Sequence, residues 1–270
     1  MIDFTVRIGV FVLIFSLLVF WQWNWPRGAL LQWRQRWLHN LSLLVVGAMS
    51  VRIVQPLLLS VVALFSQNFG LFGLLNLPYW IVLLLSVFLL DCLIYWQHRL
   101  FHRVSFFWRF HRVHHSDPEL DVSSAVRFHP IEIILSLFIK ALAVWLLGIP
   151  VAAVLVFDIL LNASAMFNHT NARLPASIET WVKKVFVTPD MHRIHHSRVN
   201  VEANSNYGFF LSIWDTVFKT KRNDALQGDE NLKIGMPDTV TYQPTSLKEV
   251  LVMPFKLYKK ASLKTNRRSS

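Results

Sequence analysis

Residues 78–102 read PYWIVLLLSVFLLDCLIYWQHRLFH. An apolar run over 78–96 is followed at once by two histidines four residues apart, His98 and His102. The run approaches the ~20 residues that carry a helix across a bilayer. Residues four apart share one helical face. The stretch therefore predicts a transmembrane helix ending in two imidazoles that point the same way. Pro78 suits its first turn, where a missing N–H costs nothing.

Three further apolar regions surround this helix. The first covers 8–25 and ends in Trp21, Trp23 and Trp25. No small-residue cleavage site follows it, so it reads as a retained anchor with an interfacial tryptophan belt rather than a signal peptide. The second covers 41–65 and contains Arg52. The third, 131–167, contains Lys140 and is split at Gly148-Ile149-Pro150, which predicts a helical hairpin, either partly inserted or crossing twice. Composition agrees: 54% of the 270 residues are hydrophobic and only 16% charged, against about 25% in soluble domains. A soluble enzyme, a disordered chain and a disulfide scaffold are excluded, the last because Cys92 is the single cysteine. The net charge of +11 on so apolar a chain points to anionic lipid and not to nucleic acid.

Loop charges orient the helices. Arg27, Arg34 and Arg36 follow the first helix, whereas the links at 66–77 and 148–150 carry no charge. Positive residues stay on the cytoplasmic side, so every histidine from His98 to His196 is expected on that side. The predicted fold is an all-α integral membrane protein: about three N-terminal transmembrane helices plus a helical hairpin, with a cytoplasmic helical cap carrying the histidines. Three segments follow: N-terminal helices over 1–77, a histidine-bearing domain over 78–220, and a polar, basic tail over 221–270. The tail places Lys256, Lys259, Lys260, Lys264, Arg267 and Arg268 among Phe255, Leu257 and Tyr258. It reads either as a segment on anionic headgroups or as a solvated terminus.

Ten of the 11 histidines fall between His98 and His196. Beyond His98 and His102 they form His111-Arg112-Val113-His114-His115-Ser116 and its near-copy His192-Arg193-Ile194-His195-His196-Ser197, with His129 and His169 as singletons. Spacings of three and four aim these imidazoles together. Imidazole suits Fe, Zn, Cu and Ni, and ten exceed the three or four of a zinc site. They match two ions at roughly five ligands each. His39, alone, reads as an interfacial residue. Asp91 and Tyr95 lie on one stripe with His98 and His102; Asp158 and Asn162 stand in the same relation to His169, and Glu132 follows His129-Pro130. These five are expected to take the free N–H of ligating histidines and set their tautomers. No His-Glu-x-x-His or Gly-x-Ser-x-Gly occurs, which argues against zinc-dependent or serine hydrolysis. No catalytic group is expected beyond the metal centre. No dinucleotide loop is visible either, so electrons would come from a separate protein.

On His98-x-x-x-His102, Trp108 to Ser116, Arg127-Phe128-His129-Pro130-x-Glu132, Asn168-His169, His192-x-x-His195-His196, Asn206-Tyr207-Gly208 and Ile213-Trp214-Asp215, the chain resembles the fatty acid hydroxylase / sterol desaturase superfamily. The resemblance covers about 78–220. It implies a non-heme di-iron centre on the cytoplasmic face that activates O2 and hydroxylates or desaturates a lipid: a sterol, a fatty acyl chain or another isoprenoid. It also implies a donor such as a ferredoxin or small cytochrome with its reductase. The membrane would be a bacterial inner membrane, or the endoplasmic reticulum in a eukaryote. Zinc can replace iron in purified material. Fatty acid hydroxylases carry a histidine where this chain has Ala165, and the resemblance offers His129 as the substitute ligand. Phe106, Phe107, Trp108, Phe209, Phe210 and Trp214 are expected to line a substrate channel or to anchor at the interface. Arg99, Arg103, Arg109, Arg112 and Arg193 are expected to form a basic surface for the donor or for lipid phosphates. The alternative is a histidine-rich membrane metal transporter or sensor. It would spread ionisable residues through the membrane depth, whereas these histidines gather beyond helix ends.

Overall fold

A computed structural model describes residues 2–65, 70–236 and 246–256. The chain forms α1 (Ile2–Asn24), α2 (Trp33–Phe65), α3 (Leu71–Leu74), α4 (Tyr79–Arg103), α5 (Ser105–His115), a 3₁₀ turn (Val122–Val126), α6 (Pro130–Leu147) and α7 (Val151–His169). Short helices follow: α8 (Ala176–Val182), α9 (Pro189–His195), α10 (Asn200–Ala203), α11 (Ile213–Val217) and α12 (Leu247–Val252). No strand occurs among the described residues. Five helices are long and apolar enough to cross a membrane, over Thr5–Asn24, Trp33–Gln55, Tyr79–Arg103, Pro130–Leu147 and Val151–His169. The all-α membrane fold is therefore as the sequence predicts, and both halves of the hairpin reach bilayer length. The expected tail residues Leu257, Tyr258, Lys259, Lys260, Lys264, Arg267 and Arg268 lie outside the described residues.

The long helices keep apolar side chains on their outer faces. Val12, Leu17, Leu38, Met49, Ile53, Leu84, Phe138 and Leu142 are all exposed, as lipid-facing positions require. Inside, α1 and α4 pack on α7, and α2 packs on α6. Leu90 and Ile94 of α4, Phe157 and Met166 of α7, and Val122 and Ala125 of the 3₁₀ turn form the main apolar core. At one end of the bundle Gly70, just before α3, meets the α6–α7 turn. Gly148 ends α6 with φ 69°, a left-handed conformation that a side chain resists. A Cβ on Gly70 would stand 2.5 Å from Gly148 Cα, so this backbone contact needs glycine.

At the opposite end all five helices bring their histidine-side termini together, and a buried ion cluster joins them. The sequence places the second apolar run at 41–65, yet α2 begins eight residues earlier, at Trp33. Its first turns carry Arg36 and Asn40, both buried and turned inward. Arg36 makes a two-pronged contact with Asp117 (2.5 and 3.0 Å), reaches Asp121 at 2.7 Å and Glu119 at 3.2 Å, and donates to Ser124 Oγ. Arg127 donates to Val113 O, Asn40 Oδ1 and Ser116 Oγ. Burial raises the Asp117 carboxyl, but the Arg36 charge and hydrogen bonds, with Arg127 behind, outweigh it and hold it at about 2. Asp121 also caps the 3₁₀ turn through Ser123 N. The cluster ties α2 to the end of α5 and to the approach to α6.

Removing one member of a buried pair leaves the other charge stranded, at a cost of about 3–5 kcal/mol. Arg36→Met strands Asp117 and Asp121 together and is expected to lower the thermal unfolding midpoint more than Asp117→Asn, which leaves Arg36 its other carboxylates. Equal midpoints in lipid nanodiscs would show that the cluster is not held as described. The Asp117 pKa lies below its unfolded value, so its contribution is present above about pH 4 and fades as pH falls toward about 2.

Candidate metal centre

Local structure aims the histidines. His98 and His102 lie on the last turns of α4, and His111, His114 and His115 on α5. His169 ends α7. Thr188 caps α9 through Met191 N, Pro189 fills its first turn, and the helix presents His192 and His195, with His196 as its C-cap. Nine imidazoles fall into two groups whose ligand atoms lie within 4.8 Å of one another: His98, His102, His111, His115 and His195; and His114, His169, His192 and His196. The two repeated boxes are shared between the groups in opposite senses. From α5, His111 and His115 enter the first group and His114 the second; from α9, His192 and His196 enter the second and His195 the first. Adjacent residues on a helix point about 100° apart, so each His-x-x-His-His box necessarily faces two centres. His115 and His196 stack between them, with centroids 4.3 Å apart.

Four histidines have their tautomer set from outside. Nδ1 of His98 donates to Tyr207 O (2.7 Å), of His169 to Ala165 O (2.7 Å), of His195 to Ser205 O (2.8 Å) and of His111 to Glu132 Oε1 (2.6 Å). A neutral imidazole has one N–H, so each Nε2 of these four carries a lone pair. His98 Nε2 and His111 Nε2 nevertheless face each other at 3.1 Å. In the second group, His169 Nε2 lies 3.1 Å from His114 Nε2 and 3.2 Å from those of His192 and His196, which are 3.2 Å apart. The facing lone pairs of His98 and His111 repel unless a cation lies between them, and Nδ1 of His114, His192 and His196 is buried without a hydrogen-bond partner. A proton does not fit that role: burial pushes His111 down to about 3. Burial and neighbouring imidazoles likewise push His114, His115, His192, His195 and His196 well below the usual range. Buried His102 Nε2, His195 Nε2 and both nitrogens of His115 have no hydrogen-bond partner. The donor set fits metal ions bound by neutral imidazole, and separations near 3.2 Å suit nitrogens about 2.0–2.1 Å from a shared ion.

Other expected residues are placed differently. His129 stands outside both groups: its Nδ1 accepts from Ile131 N as the N-cap of α6, and its Nε2 donates to Leu251 O. Both ring nitrogens are committed, leaving no lone pair for a metal. His39 sits on α2, apart from both groups. Glu132 Oε1 lies 2.6 Å from His111 Nδ1, whereas Asp91, Tyr95, Asp158 and Asn162 bond elsewhere. Asp91 lies about 10 Å along α4 from His98 and accepts from Trp214 Nε1 (2.7 Å) and Leu211 N (3.2 Å). Tyr95 bonds Thr220 Oγ1. Asp158 pairs with Arg7 and Lys140, and Asn162 donates to Asp158 O.

The residues that replace them are mostly backbone, which side-chain chemistry in a sequence cannot display. Tyr207 O is held by Asp215, whose carboxylate accepts from Tyr207 N (2.8 Å), Gly208 N (2.9 Å) and Thr220 Oγ1 (2.7 Å). A Cβ on Gly208 would meet Asp215 Oδ2, Leu211 O and Val187 Cγ2, each at 2.9 Å, so the turn requires glycine. Asn206 stitches the turn to Met191 O and Arg222. The Asn206-Tyr207-Gly208 and Trp214-Asp215 motifs were therefore the available signal.

The aromatic and basic sets also divide. Trp108 packs on His102 and His115, Phe128 stacks on His114 at 4.5 Å, and Phe209 lies against His98. Phe106 is exposed, Phe210 packs on Phe186, and Trp214 packs on Phe88. Phe107 stacks on Phe101. Arg103 and Arg109 are exposed, and Arg99 lies over Trp96. Arg112 is buried and donates to Met253 O and Lys256 O. Arg193 is largely covered, and burial lowers it to about 10. Arg112 and Arg193 therefore do not belong to the expected basic surface.

The sequence profile described as fatty acid hydroxylase matches residues 83–220. An ornithine lipid hydroxylase of Rhizobium tropici is 35% identical over 130 residues, covering 48% of this chain and 38% of that protein. An alkylglycerol monooxygenase of Homo sapiens is 31% identical over 160 residues, 57% of this chain and 33% of that protein. A C-4 methylsterol oxidase of Schizosaccharomyces pombe is 28% identical over 144 residues, 52% of this chain and 46% of that protein. The chain thus spans between about a third and a half of the length of these curated relatives. No solved structure matches it. The profile match contains all nine converging histidines and the turn that fixes them, and the chain belongs to the fatty acid hydroxylase family.

Proposed function

We propose that the protein is a membrane-bound non-heme di-iron oxygenase that hydroxylates or desaturates a lipid with O2 and electrons from a separate donor. The observation that carries this reading is the pair of converging imidazole sets, five and four, at one end of five bilayer-length helices. Iron is favoured by family membership and by relatives named as a lipid hydroxylase, a monooxygenase and a sterol oxidase. His98, His102, His111, His115 and His195 would hold one ion, and His114, His169, His192 and His196 the other. Iron held there would supply the redox chemistry that activates O2 toward a C–H bond. Hydroxylation takes one O2, two electrons and two protons, and yields the alcohol and one water.

The chain's own residues prepare that chemistry. Tyr207 O, Ser205 O, Ala165 O and Glu132 hold Nδ1–H outward, so that lone pairs point inward before metal arrives. Trp108, Phe128 and Phe209 cover the rings and keep bulk water off them. The substrate is a membrane lipid of sterol, fatty acyl or related class. Exposed Arg103 and Arg109 offer a basic face to an acidic donor such as a ferredoxin or small cytochrome. The histidine-bearing end faces the cytoplasm, because Arg27, Arg34 and Arg36 accompany it while the links at the other end are uncharged.

Purified protein is expected to carry about two irons per chain and to form an O2-dependent lipid product with a suitable reductant. His114→Ala and His115→Ala each remove a nitrogen from a different group and should abolish that product. Full product from either variant, or wild-type protein that neither binds iron nor turns over, would sink the reading. Zinc in a preparation decides nothing, since affinity favours it over ferrous iron. By contrast, His129→Ala should keep wild-type metal content while losing about 1 kcal/mol of stability with its helix cap. Metal analysis beside thermal unfolding checks this, and lost iron would return His129 to the ligand set.

A further inference from the structure

Two segments on the histidine side turn apolar side chains outward. Ile178 and Trp181 of α8, Val185 and Phe186 just beyond it, and Ile213 and Val217 of α11 are all exposed. Clustered exposed apolar groups mark a protein partner or a membrane. The two segments are joined. Phe186 pairs antiparallel with Leu211, Val187 N donates to Phe210 O, and Ser212 N donates to Val185 O.

Contacts with α4 fix their depth. Trp214 packs on Phe88 at 4.6 Å and donates to Asp91, which also accepts from Leu211 N. Phe218 packs on Trp96 at 4.7 Å. Phe88 stands nine residues after Tyr79 and ten before His98. That is near the middle of a helix about 37 Å long and about 15 Å short of the histidine. The hydrocarbon core of a bilayer is about 30 Å thick, so the start of α11 lies at hydrocarbon depth. Phe88 and Trp96 are themselves exposed on the outer face of α4, so α11 continues a lipid-facing surface. The approach to α8 is held near the interface: Ala172 pairs with Pro26, which follows Trp23 and Trp25 in the chain.

We propose that residues 176–186 and α11 form a foot inserted into the leaflet on the histidine side. Trp181, Val185, Ile213 and Val217 lie among acyl chains, and Lys184 and Lys219 lie at anionic headgroups. Depth and charge point to lipid as the occupant. Lys184 and Lys219 are exposed, whereas the acids of the same segments, Glu179 and Asp215, are buried; exposed cations suit anionic lipid. Lys184 lies over the Trp181 ring, which pairs an ammonium with an amphipathic ring of the kind found at interfaces. Non-helical backbone at membrane depth must find its partners within the protein. Here Asp91 takes Leu211 N, Val185 O takes Ser212 N, and Lys183 O accepts from Ser212 Oγ and Lys221 Nζ. Neither α8 nor α11 approaches the ~20 residues of a span, so the foot enters and leaves on one side. The proposal rests on α4 crossing the membrane and not on the oxygenase reading.

The test is spin-label accessibility of the full chain, in a Cys92→Ala background, in nanodiscs of phosphatidylcholine and phosphatidylglycerol. A nitroxide is attached after Trp181→Cys or Ile213→Cys. Exposed Leu84 on α4 and exposed Glu230 supply the lipid and aqueous references as Leu84→Cys and Glu230→Cys. Val185→Cys and Val217→Cys repeat the reading in each segment should either first variant misfold. The measured quantity is the ratio of collisions with O2 to collisions with a water-soluble nickel chelate. Labels in both segments should match the Leu84 ratio and be shifted well above that of Glu230. A ratio like that of Glu230 in either segment overturns the foot. Protection from nickel accompanied by dipolar broadening that vanishes on dilution with unlabelled chain would place a second copy on this face and overturn lipid as its occupant.

Discussion

Nine imidazoles turned toward one another impose the constraint on which the rest of the structure depends. His98 and His111, their Nδ1–H groups bound outward, turn Nε2 lone pairs on each other at 3.1 Å, and the Nε2 atoms of His114, His169, His192 and His196 converge at 3.1–3.2 Å. That arrangement is repulsive on its own, and burial prevents protons from relieving it. It is stable as a receptor for cations, held by a frame rigid enough to withstand the repulsion until they bind. Much of the chain outside the boxes can be understood as that frame.

The frame is built from buried polar groups, which explains how so apolar a chain uses its charges. Arg36 and Arg127 spend their donors on carboxylates, hydroxyls and carbonyls around the end of α5. Asp215 and Asn206 do the same for the turn that supplies Tyr207 O to His98. Each network is close to fully satisfied, the condition under which buried polarity rigidifies a structure. Part of the basic surplus that suggested a lipid-facing or donor-facing surface is therefore internal, as Arg112 shows by holding the carbonyls of Met253 and Lys256.

Helical periodicity made the fold and most of the site legible in the sequence. Runs of about 20 apolar residues had few alternatives to spanning helices, and Gly148-Ile149-Pro150 left only a turn. Spacings of three and four within His111–His115 and His192–His196 specified which imidazoles share a face. The same local rule failed for Asp91 and Asp158. A common stripe on one helix does not bring groups about 10 or 16 Å apart into contact, and both carboxylates were taken by partners from other helices. His129 failed for a different reason: its ring was already occupied by a helix cap and by Leu251 O.

By itself the sequence determined the class of the protein: membrane helices and imidazole-rich boxes at their ends. Those properties depend on residues near one another along the chain, where rise and rotation per residue fix the geometry. Only the tertiary structure decided the division into five and four, the crossing of each box between two centres, and the backbone carbonyls that set the tautomers. These depend on contacts such as His98 with Tyr207, 109 residues apart. At such separations position is set by packing and buried charge, and no local spacing records it.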